Sequence, residues 1–317
     1  MIKRNLFPVI ATICLITGTA SAQDPIFTQF YANPIYLNPA FAGSARCWRM
    51  NLNFRNQWAG IEGTYVTYSA SVDKHVDAIQ GGLALIATND NAGNGILKTT
   101  NASGIYSYLF QPKRYLSIRV GFQATFFQKS IDWSRLTFGD MIDERRGFVY
   151  DTQEKSRLVS KSNVDFSGGV LAYTKMFYAG VAVHHITQPN EGLLGDSKLP
   201  MKITAHAGAL IPVGEKGNLT SISPNIIYQQ QQNFTHLNLG LYVNKGPLVA
   251  GMWFRYADAF IMLVGFQHNS IKIGYSYDVT ISKIRNVTYG SHEISFSKQF
   301  QCKPRIKKFR GDSCPSF

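Results

Sequence analysis

Two stretches of the chain place side by side residue types that could do chemistry. His184-His185 is a conceivable metal pair, and Ser291-His292-Glu293 sets a hydroxyl, an imidazole and a carboxylate in a row. A metal needs imidazoles converging on one point, and a hydrolytic triad needs its groups to converge on one substrate atom. Successive residues of a β-strand point to opposite faces, so neither run converges if it is extended. His184-His185 therefore reads as strand surface. No H-E-x-x-H, G-x-S-x-G, Walker A loop or paired C-x-x-C occurs in the chain, and nothing supplies an oxyanion hole or an acid/base pair. The expectation is a protein that is not an enzyme, with no cofactor and no metal.

The elements that would carry these residues are short. After Gly43 the chain breaks into segments of about 9 to 13 residues separated by turn residues, the length a tilted membrane strand requires. Trp48, Met50, Leu52 and Phe54 alternate with Arg49, Asn51, Asn53 and Arg55, and Leu116, Ile118, Val120 and Phe122 alternate with Ser117, Arg119, Gly121 and Gln123. Ile271, Ile273, Tyr275 and Tyr277 repeat the pattern against Lys272, Gly274, Ser276 and Asp278. Helical periodicity is nowhere competitive. The spacing predicts strands near 45–56, 62–73, 79–88, 100–110, 115–128, 163–173, 176–186, 201–211, 219–231, 234–243, 247–256, 259–268, 270–279 and 290–300.

About fourteen strands is an even number, which puts both termini on the periplasmic side of an outer-membrane barrel. Under this registration the even-to-odd connections are short, as at Gln111 to Arg114, Thr174-Lys175 and Asn244-Lys245-Gly246, whereas the long ones, Lys129 to Ser162 and Thr187 to Pro200, fall on the opposite side. Barrels of this class have short periplasmic turns and longer outside loops. A soluble sandwich also gives many alternating strands; strand length and loop parity favour the all-β, antiparallel transmembrane barrel. Its polar face would carry Arg49, Arg55, Arg119, Lys272 and Glu293, groups that a lumen tolerates when they are wet or paired.

Residues 1–22 have the form of a secretory signal: Lys3-Arg4, an apolar run from Leu6 to Ile16, and small residues at Ala20 and Ala22. The run is far short of the roughly 20 apolar residues of a spanning helix. Bulky Ile13 before Cys14 argues against lipoprotein processing. Loss of Lys3 and Arg4 takes the formal charge from +13 to +11. With export, that basicity suits anionic lipopolysaccharide, outer-membrane lipid or an acidic partner, and no nucleic acid is expected. Cys47, Cys302 and Cys314 remain in a compartment that permits disulfides; Cys302 and Cys314 are a candidate pair, and the odd third thiol leaves the pairing open. The loop Ile131 to Lys161 is too long for a passive connection, and partner binding or inward folding as a plug both suit it.

Three stretches resemble the PorP/SprF family, outer-membrane barrels associated with the type IX secretion system of the Bacteroidetes. The first and most specific is the opening segment, with Asp24, Pro25, Phe27, Gln29, Asn33, Pro34, Asn38, Pro39, Ala40 and Gly43. The second is Leu136 to Asp140 with Gly147-Phe148. The third is the closing pair, with Gly274, Tyr275, Tyr277, Asp278, Ser291, His292 and Glu293. The prolines at 25, 34 and 39 keep the opening segment out of regular strand pairing, so it should be extended, inside or beneath the barrel mouth. Its aromatics Phe27, Phe30, Tyr31, Tyr36 and Phe41 should pack on the inner wall or on a partner.

The expected organisation is a signal peptide at 1–22, an extended segment at 23–44, a barrel at 45–300 and a basic periplasmic tail at 301–317, with Arg305, Lys307, Lys308 and Arg310 supplying charge. The resemblance implies participation in type IX secretion, gliding or adhesin export. Expected partners are periplasmic ring lipoproteins of the secretion machine or secreted adhesin cargo. A passive diffusion or uptake channel is the alternative.

Overall fold

A computed structural model describes residues 24–61, 63–143, 145–153, 158–193, 195–213, 220–282, 288–301 and 314. Fourteen antiparallel strands close into a barrel. They are β1 (Arg49–Gln57), β2 (Tyr65–Val76), β3 (Gly81–Ala92), β4 (Leu97–Lys113), β5 (Leu116–Asp132), β6 (Leu158–Tyr173) and β7 (Phe177–His184). β8 (Lys202–Ala209), β9 (Thr220–Gln231), β10 (Phe234–Lys245), β11 (Leu248–Arg255), β12 (Ala259–His268), β13 (Ile271–Thr280) and β14 (Ser291–Gln299) complete the ring. Each strand pairs with its sequence neighbours, and β1 closes on β14 from Arg49↔Gln299 to Gln57↔Ser291. No helix among the described residues is long and apolar enough to cross a membrane.

Every segment expected from alternation is a strand, but the lengths spread more widely than expected. β4 and β5 each run 17 residues, paired from Leu97↔Ile131 to Lys113↔Leu116. β6 then continues the sheet up to Asp132↔Leu158. Thr99, Gln128, Ser130 and Ser160 carry these extensions, and polar side chains suit a hairpin that projects past an apolar belt into water. The long connection is correspondingly shorter, 133–157.

Alternation sorts the side chains as a membrane barrel requires. Leu85, Val120, Met262 and Val264 face outward and are at least half exposed, while Asn51, Arg55, Arg119 and Glu293 face the lumen and are buried. One end of the barrel, here the hairpin end, carries the tight turns at Asp77–Ile79, Arg114-Tyr115, Gly246-Pro247 and Asn269-Ser270, together with the start of β1 and the end of β14. Left-handed residues make the tightest connections, such as Gly246 (φ 57°) and Asn269 (φ 51°). The opposite, loop end carries 58–64, 133–157, 185–201 and 281–290.

Candidate functional site

The lumen is filled by the chain's own residues 24–44. The segment is not extended: short helical turns occupy Phe30–Ala32, Pro34–Leu37 and Pro39–Phe41. Pro34 and Pro39 each open a turn, where a fixed φ and a missing N–H cost nothing, so the prolines that bar strand pairing admit compact turns as readily as an extended chain. Asn38 joins two turns, its Oδ1 accepting from the Ala40 amide at 2.9 Å and its own amide donating to the Pro34 carbonyl at 3.0 Å. From Phe27 to Ser44 every residue is buried or half-buried.

Near the loop end, the segment enters a charged cluster. The amides of Thr28 and Gln29 donate to the two carboxylate oxygens of Glu293 at 2.7 and 3.0 Å. Arg55 bridges Glu293 at 3.2 Å and Asp278 at 2.8 Å. The Gln29 amide group reaches the Glu293 carbonyl and Ser276, and Gly274 leaves the space that Gln29 and Tyr31 occupy. The opening and closing stretches that carry the family resemblance thus meet in one buried network. Carboxylates so placed need both a cation and donors to repay desolvation, and the wall and the segment each supply part.

Aromatic rings fill the middle of the lumen. Phe30 lies 4.9 Å from the Trp253 ring, Tyr31 meets Tyr242 edge-on at 5.3 Å, Phe27 meets Tyr36 at 5.1 Å, and Phe41 stacks on His206 at 5.3 Å. Asn33 donates to Ser69, and Asn38 to the Val170 carbonyl.

At the hairpin end, Arg119 donates to the carbonyls of Ala42 and Gly43 at 2.9 and 3.0 Å, while Asp73 takes the Gly43 amide and pairs with Arg49 at 2.9 Å. The backbones touch here: a Cβ on Gly121 would lie 2.4 Å from the Ala40 nitrogen, and one on Gly82 would lie 2.2 Å from the Ala42 oxygen. Only glycine permits that approach.

The end at Asp24 is held by a latch that the sequence reading missed. Asp24 pairs with His185 Nε2 at 2.8 Å and with Lys202 at 3.5 Å, and its amide donates to Gln231. His185 Nδ1 pairs with Asp165 at 2.8 Å. His184-His185 is not strand surface: His185 has φ 58°, which ends the alternation of β7 and turns both rings inward, 6.4 Å apart. Burial alone would depress His185, but the carboxylates of Asp24 and Asp165 outweigh it and push the imidazole up to about 10. Burial likewise opposes ionisation of Asp24, yet His185 and Lys202 hold it well below the usual carboxylate range. Among the described residues no cluster of three or more His, Cys, Asp or Glu could hold a metal ion.

The other candidate residues separate by face. Ser291 and Glu293 are buried on the lumen side, whereas His292 turns outward to the Tyr275 hydroxyl at 2.8 Å and stands 5.0 Å from the Tyr277 ring. Pro25 accepts from the Tyr36 hydroxyl. Cys314 is buried in the apolar cluster of Leu37, Phe41 and Leu171, and Cys47 is disulfide-bonded; the candidate pairing of Cys302 with Cys314 falls on a residue outside the described ones. Residues 1–23, Cys302 and the basic residues Arg305, Lys307, Lys308 and Arg310 lie outside the described residues.

None of the described residues of the long loop is buried in the lumen. Asp143 accepts from the amides of Arg145 and Arg146, Asp140 from Thr152 and the Gln153 amide, and Trp133 stacks on Phe138. Ile142, Phe148, Val149 and Tyr150 are exposed. Between the loops and the Asp24 end lies a vestibule of about 430 Å³, bordered by Pro25, Ile26, Trp58, Asp90 and Lys129.

An antiparallel barrel with an apolar outer wall and a charged lumen filled by its own N-terminal segment defines a plugged outer-membrane barrel. The chain matches the family model for the type IX secretion system membrane protein PorP/SprF over residues 19–297, and it belongs to that family. No curated protein matches it. Similar solved structures include the Acinetobacter baumannii outer membrane protein Omp33, at 8% identity over 81% of this chain and 100% of that one, TM-score 0.44. A Pseudomonas aeruginosa FadL homologue matches at 11% identity over 83% and 93%, TM-score 0.44. The P. putida toluene transporter TodX matches at 9% identity over 84% and 93%, TM-score 0.43.

Proposed function

We propose that the protein is a non-enzymatic docking barrel of the type IX secretion apparatus, exported by its N-terminal signal and set with its hairpin end in the periplasm. Its partners are secretion-machine components on the periplasmic side, and a secreted surface protein meets the loops outside. Family membership supports the secretion role. One observation favours docking over passive conduction: residues 24–44 occupy the lumen from one mouth to the other, bonded to the wall at both ends. A diffusion channel needs a continuous wet path, and a segment whose backbone abuts wall glycines leaves little room for one.

The purified full chain in a planar bilayer is expected to be electrically silent, and steady single-channel currents would overturn the docking reading. Pull-down of the tagged barrel from detergent-solubilised outer membranes should recover secretion components or a secreted adhesin. Recovery of the barrel alone, together with conductance, returns the channel alternative.

A further inference from the structure

The even strand count puts the start of β1 and the end of β14 at the same end of the barrel, yet the chain's N-terminal portion does not stay there. Every partner of Asp24 belongs to the opposite mouth: His185 directly follows β7, Lys202 opens β8 and Gln231 ends β9. The partners of Ala42 and Gly43, by contrast, are Arg119 near the start of β5 and Asp73 near the end of β2, both toward the hairpin end. Between them the segment meets the wall at Glu293 and Ser69, rises again at Tyr36-Leu37 beside Lys202 and His184, and then drops to Gly121 at Ala40. Twenty residues fully extended would span roughly 65 Å, more than a barrel wall of tilted 12-residue strands is tall; the three helical turns take up the excess.

We infer that residues 24–44 thread the whole lumen, so that the amino-terminal end of the segment is presented at the cell-surface mouth beside the vestibule, latched by Asp24, while only its carboxyl-terminal end is tied to β1 on the periplasmic side. This rests on the orientation proposed above, and it replaces the expectation of two periplasmic termini. It also assigns the vestibule rim at Pro25 and Ile26 to the outer face, where material exported by the apparatus would meet it. Release of the plug then has a defined order, because one end is held by ion pairs at the surface and the other by the chain itself.

The test inserts a protease-cleavable epitope between Gln23 and Asp24 of the full chain, in the cells that make it. The same epitope at Tyr150 in the long loop and at Ala78 in a hairpin turn reports orientation. The expected result is cleavage of the 23/24 and Tyr150 epitopes to the same extent in intact and permeabilised cells, and loss of cleavage at Ala78 unless cells are permeabilised. If the 23/24 epitope behaves like Ala78 while Tyr150 is cut in intact cells, the threading is overturned and the orientation stands. If Tyr150 needs permeabilisation and Ala78 does not, the orientation fails and the surface assignment with it. Should the tagged barrel not assemble, a single cysteine inserted at the same junction and probed with a membrane-impermeant maleimide, read against the unmodified chain, gives the same outcomes.

Discussion

The N-terminal segment and the 133–157 loop look alike in sequence: both lack strand alternation, both carry aromatics, and both carry a stretch resembling the PorP/SprF pattern. The fold treats them oppositely. The segment gives its polar groups to wall strands far along the chain, from Asp73 for Gly43 to Glu293 for Thr28, whereas the loop satisfies its own over spans such as Asp143 to Arg145. A polar contact in the lumen replaces water that cannot return, while one in the loop competes with solvent at every moment. Equal-looking motifs therefore carry unequal energy.

The largest break should come from Arg55→Met. It leaves Glu293 and Asp278 buried without their shared cation, a loss of about 3–5 kcal/mol by analogy with other broken buried pairs. The thermal unfolding midpoint in detergent should drop clearly, and an unchanged midpoint would show that the network is wetter than its burial indicates. Next is Gly121→Val, whose Cβ lies 2.4 Å from the Ala40 nitrogen. Overpacking of this kind costs about 1–3 kcal/mol, and amide exchange should rise at 40–43 while the strands stay protected. Uniform exchange across barrel and segment would sink the idea that the segment is seated separately.

Smaller still is the latch. His185, raised to about 10 in the folded protein, stabilises the latch fully below its unfolded value of about 6.5 and loses that contribution progressively as pH rises to about 10. Asp24 has the opposite sign: its contribution is present above about 4 and falls away in acid. Protection of the amides at 24–27, measured relative to intrinsic exchange at each pH, should be greatest between these limits, fall in alkali, and lose that alkaline fall in His185→Gln. The smallest effect belongs to the loop. Arg135→Ala removes an exposed 3.5 Å pair with Asp132, and exposed pairs contribute about 0–1 kcal/mol. A shift matching that of Arg55→Met would erase the contrast between the two regions.

Much of the wall was legible in the sequence. Alternation at Trp48–Arg55 and Leu116–Gln123 located strands and assigned faces, because a period of two is set by local backbone geometry. The interior was less legible. That Arg55 serves both Asp278 and Glu293, or that Arg119 reaches Gly43, depends on distances across the ring that no local pattern encodes. His185 was misread because it sits in a left-handed turn just past β7, where alternation no longer applies, and its partners Asp24 and Asp165 lie far from it in the chain. The tail shows a similar limit, since spacing near Cys302 does not reveal that Cys314 lies in the cluster of Leu37 and Phe41. Gly121 was visible on the polar face of its strand, and glycine there is the signal that could have indicated an occupant.

The sequence by itself determined the number of strands, their facing and the parity of their connections, since these follow from side-chain alternation and turn residues within a dozen positions. Only the tertiary structure decided what fills the barrel and from which mouth the filling enters. Closing the ring creates a confined polar space, and the segment that settles there is the one whose carbonyls, amides and rings match groups contributed by strands from every part of the chain.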